Sequence, residues 1–541
     1  MSRASTSRDP IIVVGGGLGG LMTARGLLRR GVECEVVDKR PEPSSAPKAI
    51  TAHAALLQRL ANDGIADQLK VEGIPVSSMD YHFPNDASVL RMDFTQLYGT
   101  RYPHVLVSRQ ATIERILRKE LALKYGCRVQ WGTRLVDLET DEDRGTTATL
   151  VGTDGGVRVA RPDWLVGCDG VRSIVRRLLQ IPFEGDEFPS YQRMIDARLY
   201  GYTFAPNSIN YFMSDAGLLF IARLPDDPEI GEIYRIIISE RGGDGPRAAT
   251  TRETFQVALD RQFGGRVTLG KSGLASDFTI AHRVATHFRV GDVLLGGDAA
   301  HCHSIAGGMG MNKAGEDGDD LGWMLAMVAK GQAQPSLLDN YAQNRRLAAM
   351  DAGATARHLH GIIMEHNKSH QDRHKTAVEL TGRSEIVGRI SGLSQIYSHD
   401  VFQTSGLTPL EGLASGSIAP NIRLTTSPAD DTWVHDLVDE SYTLLAFQSD
   451  PNSTSELGTL AARVTHSFGD RVRVKVITPR ELSAAAPAGA IISDNAEVHN
   501  VYGDSREDTL CLVQPNLHLV RRCHRSTGQE ALLTKLKAVL T

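Results

Sequence analysis

The sequence predicts an α/β fold in which a parallel-sheet domain is interrupted by a β-rich domain and followed by a separate small α/β domain. The first observation is a β-α-β unit, with a β-branched run at 11–14, a helical pattern at 21–30 and a second strand pattern at 33–37. The second is a change to short strands and turns in 71–103 and 183–278. The third is a further group of strand patterns, closed by a helix, near the C-terminus.

These patterns divide the chain into several domains, as its 541 residues require, because a single hydrophobic core rarely grows that large. A strand pattern at 293–295 and a helix at 313–329 resume the first domain after the β-rich insertion. The predicted boundaries are 1–10 for a flexible N-terminus; 11–70, 104–182 and 279–366 for the interrupted domain; 71–103 and 183–278 for the β-rich domain; 367–419 for a connector; and 420–541 for the small α/β domain.

Composition excludes several classes of function. The net charge is -5 and no basic stretch is interleaved with aromatic residues, which argues against a nucleic-acid partner. The N-terminus lacks the apolar run of a signal peptide, and no segment approaches the roughly 18 apolar residues of a membrane span. The six cysteines form no C-x-x-C pair, so a reducing compartment, the cytoplasm, is expected.

The turn after the first strand carries a G-x-G-x-x-G pattern. Its glycines permit a tight turn, close approach of a pyrophosphate and close helix–strand packing, and the helix that follows directs free amides at the phosphate. Asp38 ends the second strand, where a carboxylate can accept hydrogen bonds from a ribose. A flexible turn is the alternative for the glycines alone, and the motif does not distinguish FAD from NAD. The motif residues are Gly15, Gly17, Leu18, Gly19 and Gly20.

Two later motifs indicate the cofactor. Asp169-Gly170 and Gly297-Asp298 each follow a strand, where a carboxylate can accept hydrogen bonds from a ligand. Together with the first motif, they make the chain resemble the group A flavoprotein aromatic hydroxylases, the class of p-hydroxybenzoate hydroxylase and phenol hydroxylase. The likeness extends to about residue 365. It implies a Rossmann-like FAD-binding domain of the p-hydroxybenzoate hydroxylase type.

The resemblance also implies further contacts with FAD. Gln110 matches a family position beside the flavin and Arg109 could reach the pyrophosphate, although a surface pair is an equal alternative. The loop before the 313–329 helix resembles the family's G-x-G-x-N segment, and its amides would stabilise negative charge on reduced flavin. The remaining candidates are the basic residues Lys39, Arg40 and Lys48 and the loop residues Gly308, Gly310, Met311 and Asn312.

The sequence departs from the family around this loop. Ser304-Ile305 stands where relatives carry prolines, Met309 where they have a small or amide side chain, and Lys313 where they have an uncharged one. The helix is also expected to start with Glu316, Asp317, Asp319 and Asp320. The resemblance implies Asp317, but the Asp319-Asp320 pair is less usual. Acids in a first turn favour the helix dipole but weaken its attraction for an external anion. These departures leave the substrate type, and hydroxylation itself, open.

The resemblance implies that NAD(P)H reduces FAD, oxygen adds to form a C4a-hydroperoxide, and a small phenolic or polyketide-like aromatic receives one oxygen atom. No separate nicotinamide domain is expected. His53, Tyr211, Tyr234 and His282 are candidate substrate contacts, with ordinary packing as the alternative. His301 and His303 could converge on a metal, but no further ligands cluster nearby, so no metal is predicted.

Other readings stay open. A flavin-dependent epoxidase or oxidative decarboxylase acting on a non-aromatic substrate is one alternative, and a flavoprotein that binds a ligand without turnover is another. Residues 420–541 resemble the thioredoxin-like tail of phenol hydroxylase and polyketide hydroxylases, with Gln514 and Asn516 departing from its pattern. Without C-x-x-C this domain cannot exchange dithiols, so packing or support of a homodimer is expected.

Overall fold

The structure is a computed structural model. It describes residues 9–44, 48–83, 89–141, 145–214, 217–241, 250–363, 384–398, 412–425, 427 and 429–540, with single positions at 372, 374, 375 and 378. Of the predicted N-terminal segment 1–10, residues 9 and 10 are described, and of the predicted connector 367–419 about half is described, mainly 384–398 and 412–419.

A six-stranded sheet forms the first layer, in the order β18-β19-β12-β1-β2-β8. The five strands from β19 to β8 run parallel, and β18 is antiparallel at the edge. The short β-branched runs suit a parallel sheet that is buried on both faces. The strands are β1 (Ile11–Val14), β2 (Cys34–Asp38), β8 (Gln130–Trp131), β12 (Leu165–Gly167), β18 (Arg289–Val290) and β19 (Val293–Leu295).

Helices cover this sheet. On α4 the predicted apolar face at 113, 116, 117 and 121 is buried. Helices α1 and α7 cross very closely, since a Cβ on Gly26 would lie 2.6 Å from the Gly322 Cα. The helices of this part are α1 (Leu18–Arg29), α2 (Ala54–Ala61), α3 (Ile65–Glu72), α4 (Gln110–Tyr125), α5 (Ile174–Leu178), α7 (Gly310–Ala329) and α8 (Leu337–Ile363).

The β-rich insertion forms an eight-stranded sheet, in the order β20-β17-β13-β16-β15-β14-β5-β6. Helix α6 (Arg252–Phe263) packs on one face, while the other face meets the first layer. The strands are β5 (Ser78–His82), β6 (Val89–Asp93), β13 (Phe183–Tyr200), β14 (Ser208–Ser214), β15 (Gly217–Asp227), β16 (Gly231–Arg241), β17 (Thr268–Ala285) and β20 (His301–Cys302).

Two further sheets have three strands each. One contains β3 (Thr51–Ala52), β4 (Ile74–Val76) and β7 (Val105–Val107), and the other contains β9 (Arg134–Asp141), β10 (Gly145–Val151) and β11 (Val157–Ala160). Both are antiparallel. Short 3-10 turns lie at Phe94–Gln96 and Gly297–Ala299.

The C-terminal part has its own five-stranded sheet, in the order β23-β22-β21-β24-β25, with β21 parallel to β22 and antiparallel to β24. Its strands are β21 (Tyr442–Phe447), β22 (Val472–Pro479), β23 (Ile491–Ser493), β24 (Thr509–Val513) and β25 (Leu519–His524). The helices are α9 (Ser384–Ser391) before the domain, then α10 (Thr454–Phe468), α11 (Ala496–Tyr502) and α12 (Arg525–Val539), with 3-10 turns at Val434–Leu437, Gly469–Arg471 and Arg480–Ala485. Among the helices that the structure describes, none combines the length and apolar character needed to cross a bilayer.

Candidate active site

Two cavities meet between the parallel sheet and the β-rich insertion. The first, of about 570 Å³, lies at the carboxyl ends of the parallel strands. The second, of about 440 Å³, lies against the eight-stranded sheet and has mostly apolar walls. A cleft outside the carboxyl ends of parallel strands is the usual binding place in this class of sheet. The cavities share a wall formed by Lys48, Ala49, His303, Gly310 and Met311.

The glycine turn forms one end of the first cavity. Gly15 has a φ of 117°, and a Cβ there would overlap the Cys168 carbonyl oxygen, so the turn requires glycine. Gly17 is the N-cap residue of α1 and no side chain caps this helix, which leaves its first amides available to an anion. Gly20 does not line the cavity, because it packs against the Gly15 carbonyl.

Asp38 lies beside this turn with both carboxylate oxygens engaged. Its Oδ2 accepts a hydrogen bond from the Gly16 amide at 2.8 Å, and Arg40 donates to both oxygens through its side chain. Burial alone would raise the pKa of Asp38, but the hydrogen bonds from Arg40 and Gly16 outweigh burial and lower it. Asp38 is therefore held as a carboxylate at the rim of the cavity.

Two further carboxyl groups face the same cavity. Asp169 accepts a hydrogen bond from the Ile174 amide through Oδ2 at 2.6 Å, whereas its buried Oδ1 has no partner in the described chain. Asp298 is open to the cavity, yet the enclosing walls raise its pKa, as burial does for Asp169. These acceptors fit a ligand with hydroxyl groups, such as the ribityl chain of FAD, because hydroxyl donors would satisfy them.

Asp317, on α7, fastens the Gly297-Asp298 turn. Its Oδ2 accepts hydrogen bonds from the Gly297 amide at 2.8 Å and from His301 Nε2 at 2.7 Å, and its Oδ1 accepts one from Arg345 Nε at 2.6 Å. Burial would raise its pKa, but the positive charge of Arg345 outweighs burial and lowers it. A fully buried carboxylate thus ties the strand end, helix α7 and helix α8 together.

The prediction that acids occupy the first turn of this helix is wrong. Helix α7 begins at Gly310, three residues before the predicted start, and its first turn contains no acid. Glu316 pairs with Lys313 at 2.8 Å and with Arg345 at 3.2 Å, while Asp320 pairs with Arg59 at 2.7 Å. Since these acids lie further along the helix and are paired with cations, they do not oppose an anion at its N-terminus.

Asn312 and His53 hold the glycine loop in place. The Asn312 Nδ2 donates to the carbonyl oxygens of Thr51 and Gly308, both at 2.9 Å, and its Oδ1 accepts from the His53 amide at 2.7 Å. The His53 Nε2 lies 2.9 Å from the Gly307 carbonyl oxygen. Neither side chain lines a cavity. Both side chains therefore stabilise the loop from outside the two cavities.

The structure brings most of the cofactor candidates together. Arg109 is an exception, because its side chain donates to the Pro225 carbonyl oxygen at 3.2 Å and lies outside the cavity wall, and Gly308 lines the second cavity instead of the first. The candidates that line the first cavity are Gly15, Gly17, Leu18, Gly19, Asp38, Lys39, Arg40, Lys48, Gln110, Asp169, Gly170, Gly297, Asp298, Gly310 and Met311.

The four candidate substrate contacts lie in different parts of the structure. Tyr211 lines the second cavity, and its hydroxyl lies 3.9 Å from the Met79 sulfur, a weak partner. Tyr234 packs on the other face of the same sheet, among the residues that contact α6, and donates to Glu232 at 2.6 Å. His282 lies against Gly353 and lines neither cavity. Of these four candidates, including His53, the structure places Tyr211 alone at a cavity wall.

Several lining residues were not predicted from the sequence. His303 lines both cavities but was considered only as a metal ligand, and Arg235 and Phe278 line the second cavity. Arg134 and Arg172 line the first. The spacing of His301 and His303 on an extended segment was a usable signal, because residues i and i+2 share a face, and the two rings do stack with their centroids 5.9 Å apart.

The fold and the cavity define a class, the dinucleotide-binding flavoproteins, and comparison with known proteins narrows it. The FAD binding domain family matches residues 8–356. Pentachlorophenol 4-monooxygenase of Sphingobium chlorophenolicum is 31% identical over 538 residues, 98% of this chain and 96% of that protein. The chain belongs to the group A flavoprotein aromatic hydroxylases and is an FAD-dependent monooxygenase, which confirms the predicted family, cofactor and enzyme class.

Solved structures agree over nearly the whole chain. The anhydrotetracycline hydroxylase OxyS from Streptomyces rimosus is 25% identical, with a TM-score of 0.75 over 98% of this chain and 99% of that one. A ternary complex of aklavinone-11 hydroxylase with FAD and aklavinone is 24% identical, with a TM-score of 0.78 and coverage of 98% and 99%. The second likeness supports the fold alone.

Proposed function

We propose that the protein inserts one atom of O2 into a small aromatic molecule, with FAD in the first cavity, the aromatic in the second, and NAD(P)H as a transient reductant. The observation that carries this proposal is the shared wall at the N-terminus of α7. Two ligands in adjoining cavities would both contact this wall. When bound, FAD supplies electron transfer and oxygen activation.

The chain's own residues would hold the cofactor along the strand ends. The free amides of α1 suit its pyrophosphate. Asp38 would have to exchange one of its hydrogen bonds with Arg40 to accept one from the ribose. Asp169 and Asp298 would accept hydrogen bonds from its ribityl hydroxyls. The amides at the start of α7 would face the ring and stabilise negative charge on its reduced form, because no acid in the first turn opposes them.

The second cavity indicates the substrate class. Its walls are largely aliphatic and aromatic, and its volume of about 440 Å³ lies within the usual range for organic ligands. Arg235, a cation in the wall, is already neutralised by Asp196 and donates to the Lys48 carbonyl oxygen. A hydroxylated aromatic fits these largely apolar walls. The names of the relatives, a pentachlorophenol monooxygenase and an anhydrotetracycline hydroxylase, support phenolic or polyketide-like rings.

The remaining assignments are also proposals. The domain division at 11–70, 104–182 and 279–366, with 71–103 and 183–278, is supported by the separate sheets. A thioredoxin-like assignment for 420–541 is supported by the mixed strand directions of its sheet with helices between the strands. A homodimer and a cytoplasmic location complete the proposal, the latter supported by six free cysteines.

The experiment uses the purified protein with bound FAD, NADPH and a panel of phenols and tricyclic or tetracyclic polyketide aromatics. At least one aromatic is expected to stimulate NADPH oxidation and to gain one 18O atom from 18O2. An epoxide product, or a product formed with loss of CO2, would favour the epoxidase or oxidative decarboxylase alternative. Binding of an aromatic with no NADPH consumption would favour a non-catalytic flavoprotein, and a colourless protein that refuses FAD would refute the proposal.

A further inference from the structure

Three polar side chains in the wall of the second cavity are engaged with protein partners. Ser304 Oγ lies 3.0 Å from His360 Nδ1, and Thr51 Oγ1 donates to the Gly308 carbonyl oxygen at 3.2 Å. Arg235 is held by Asp196. These groups are satisfied within the protein and do not need a ligand.

His303 differs from them. Its side chain lines both cavities, and both ring nitrogens are buried without a hydrogen-bond partner in the part of the chain that the structure describes. A buried imidazole with two unpaired nitrogens is unfavourable, so native proteins rarely keep one without a reason. The neighbouring His301 does not share this situation, because its Nε2 is bonded to Asp317. His303 thus has unused hydrogen-bonding capacity where the two cavities meet.

The charge state of His303 limits what it can bind. Burial lowers its pKa to about 3, with further lowering by the nearby His301, His282 and Lys313 and a small opposite effect of Asp317. A neutral imidazole offers one donor and one acceptor. It suits a hydroxyl group, which can both give and accept a hydrogen bond, and it does not provide the positive charge that a carboxylate would require.

We propose that His303 orients the aromatic substrate by accepting a hydrogen bond from its phenolic hydroxyl at the boundary with the cofactor cavity. This inference rests on the proposed function for the placement of the substrate in the second cavity. A hydrogen bond accepted from the hydroxyl raises electron density at the ortho and para carbons, the positions that react in an electron-rich ring. One hydroxyl of the substrate is thereby fixed beside the shared wall, and the ring carbon next to it is presented to the cofactor.

A matched pair of probes tests this role in the FAD-loaded protein. Affinities for 2-naphthol and for 2-methoxynaphthalene, which lacks the hydroxyl proton, are measured from the perturbation of flavin absorbance. The wild type is expected to prefer 2-naphthol by about 10-fold, His303→Leu to lose the preference, and His303→Gln to recover part of it. His287→Leu, which removes an exposed imidazole outside both cavities, is the control and should keep the preference.

Two results would overturn the role of His303: a wild type that does not discriminate between the probes, or a His303→Leu variant that discriminates as the wild type does. If His303→Leu does not retain FAD, His303→Met replaces it in the same comparison. The proposed function fails separately, by the absence of any 18O-labelled product. In that case a preference that disappears in His303→Leu would still support the hydrogen bond.

Discussion

At the scale of single residues, Asp317 is the carboxylate that ties the Gly297-Asp298 turn to helices α7 and α8. It bonds the Gly297 amide, His301 and Arg345 while fully buried. Removing one partner of a buried ion pair leaves an uncompensated charge, at a cost of about 3–5 kcal/mol. Asp317→Ala is therefore expected to lower the free energy of unfolding by that amount in a urea titration of the FAD-loaded protein.

An exposed ion pair provides the control for this change. Asp339 pairs with Arg289 at 2.9 Å, but its side chain is 56% exposed. Exposed pairs contribute at most about 1 kcal/mol, so Asp339→Ala should change the unfolding midpoint little. Equal losses in the two variants would show that Asp317 is not a structural tie.

Asp298 gives a prediction about the cofactor. Its carboxyl group faces the first cavity in a setting that already raises its pKa, and a hydrogen-bonding ligand would relieve that cost. Asp298→Ala is expected to weaken FAD binding by about 10- to 100-fold, the loss of one or two good hydrogen bonds. Asp298→Asn, which keeps an acceptor, should weaken it less. Titration of the apoprotein with FAD measures this, and unchanged affinity in Asp298→Ala would remove the residue from the site.

At the scale of elements, helix α7 shows what local sequence could and could not predict. The β-α-β turn and Asp38 were predictable because their spacing is local. The start of α7 was predicted three residues late, since Gly310 is a poor helix former and its loop is held by Asn312 bonds to Thr51. The charges on α7 were misjudged because their partners, Arg345 and Arg59, are distant in sequence.

For the eight-stranded sheet, the sequence did not show which side chains face the cavity. Tyr211 and Tyr234 both lie in apolar strands, but one faces the second cavity and the other faces α6. When both faces of a strand are buried, no polar alternation reveals which side chains point inward. Motifs therefore predicted many of the residues that line the first cavity, whereas the wall of the second cavity required the three-dimensional register of the strands.

The buried Lys313–Glu316 pair on α7 gives a prediction about acid stability. Burial would raise the pKa of Glu316, but the positive charges of Lys313 and Arg345 outweigh burial and lower it from 4.5 to about 2. Because the folded-state pKa lies below the unfolded one, the contribution is complete above pH 4.5 and is lost as the pH falls toward about 2. The double variant Lys313→Met/Glu316→Gln should lose less stability than the wild type across that window. Urea midpoints at several pH values measure this, and parallel losses would contradict it.

At the scale of the whole molecule, the C-terminal domain reaches the same helix. The Asn516 Nδ2 donates to Asp320 Oδ1 at 2.9 Å, and His518 stacks on Tyr397 at 3.8 Å between ring centroids. The Tyr397 hydroxyl in turn donates to Asp320. Asn516 is one of the two departures from the family's tail segment, so the chain pairs its unusual acid on α7 with an unusual amide from the tail.

This contact predicts that the tail supports the flavin site without lining it. Asn516→Leu leaves a buried carboxylate oxygen with one hydrogen bond fewer, which costs about 1–3 kcal/mol. The unfolding midpoint should fall by a corresponding amount, and FAD affinity should fall with it, since Asp320 and Asp317 lie on the same stretch of α7. Asn452→Ala, at an exposed position of the same domain, is the control. If α7 transmits the contact to the cofactor cavity, stability and FAD affinity must fall together in Asn516→Leu. A loss of stability with unchanged FAD affinity would therefore show that the tail contributes only to packing.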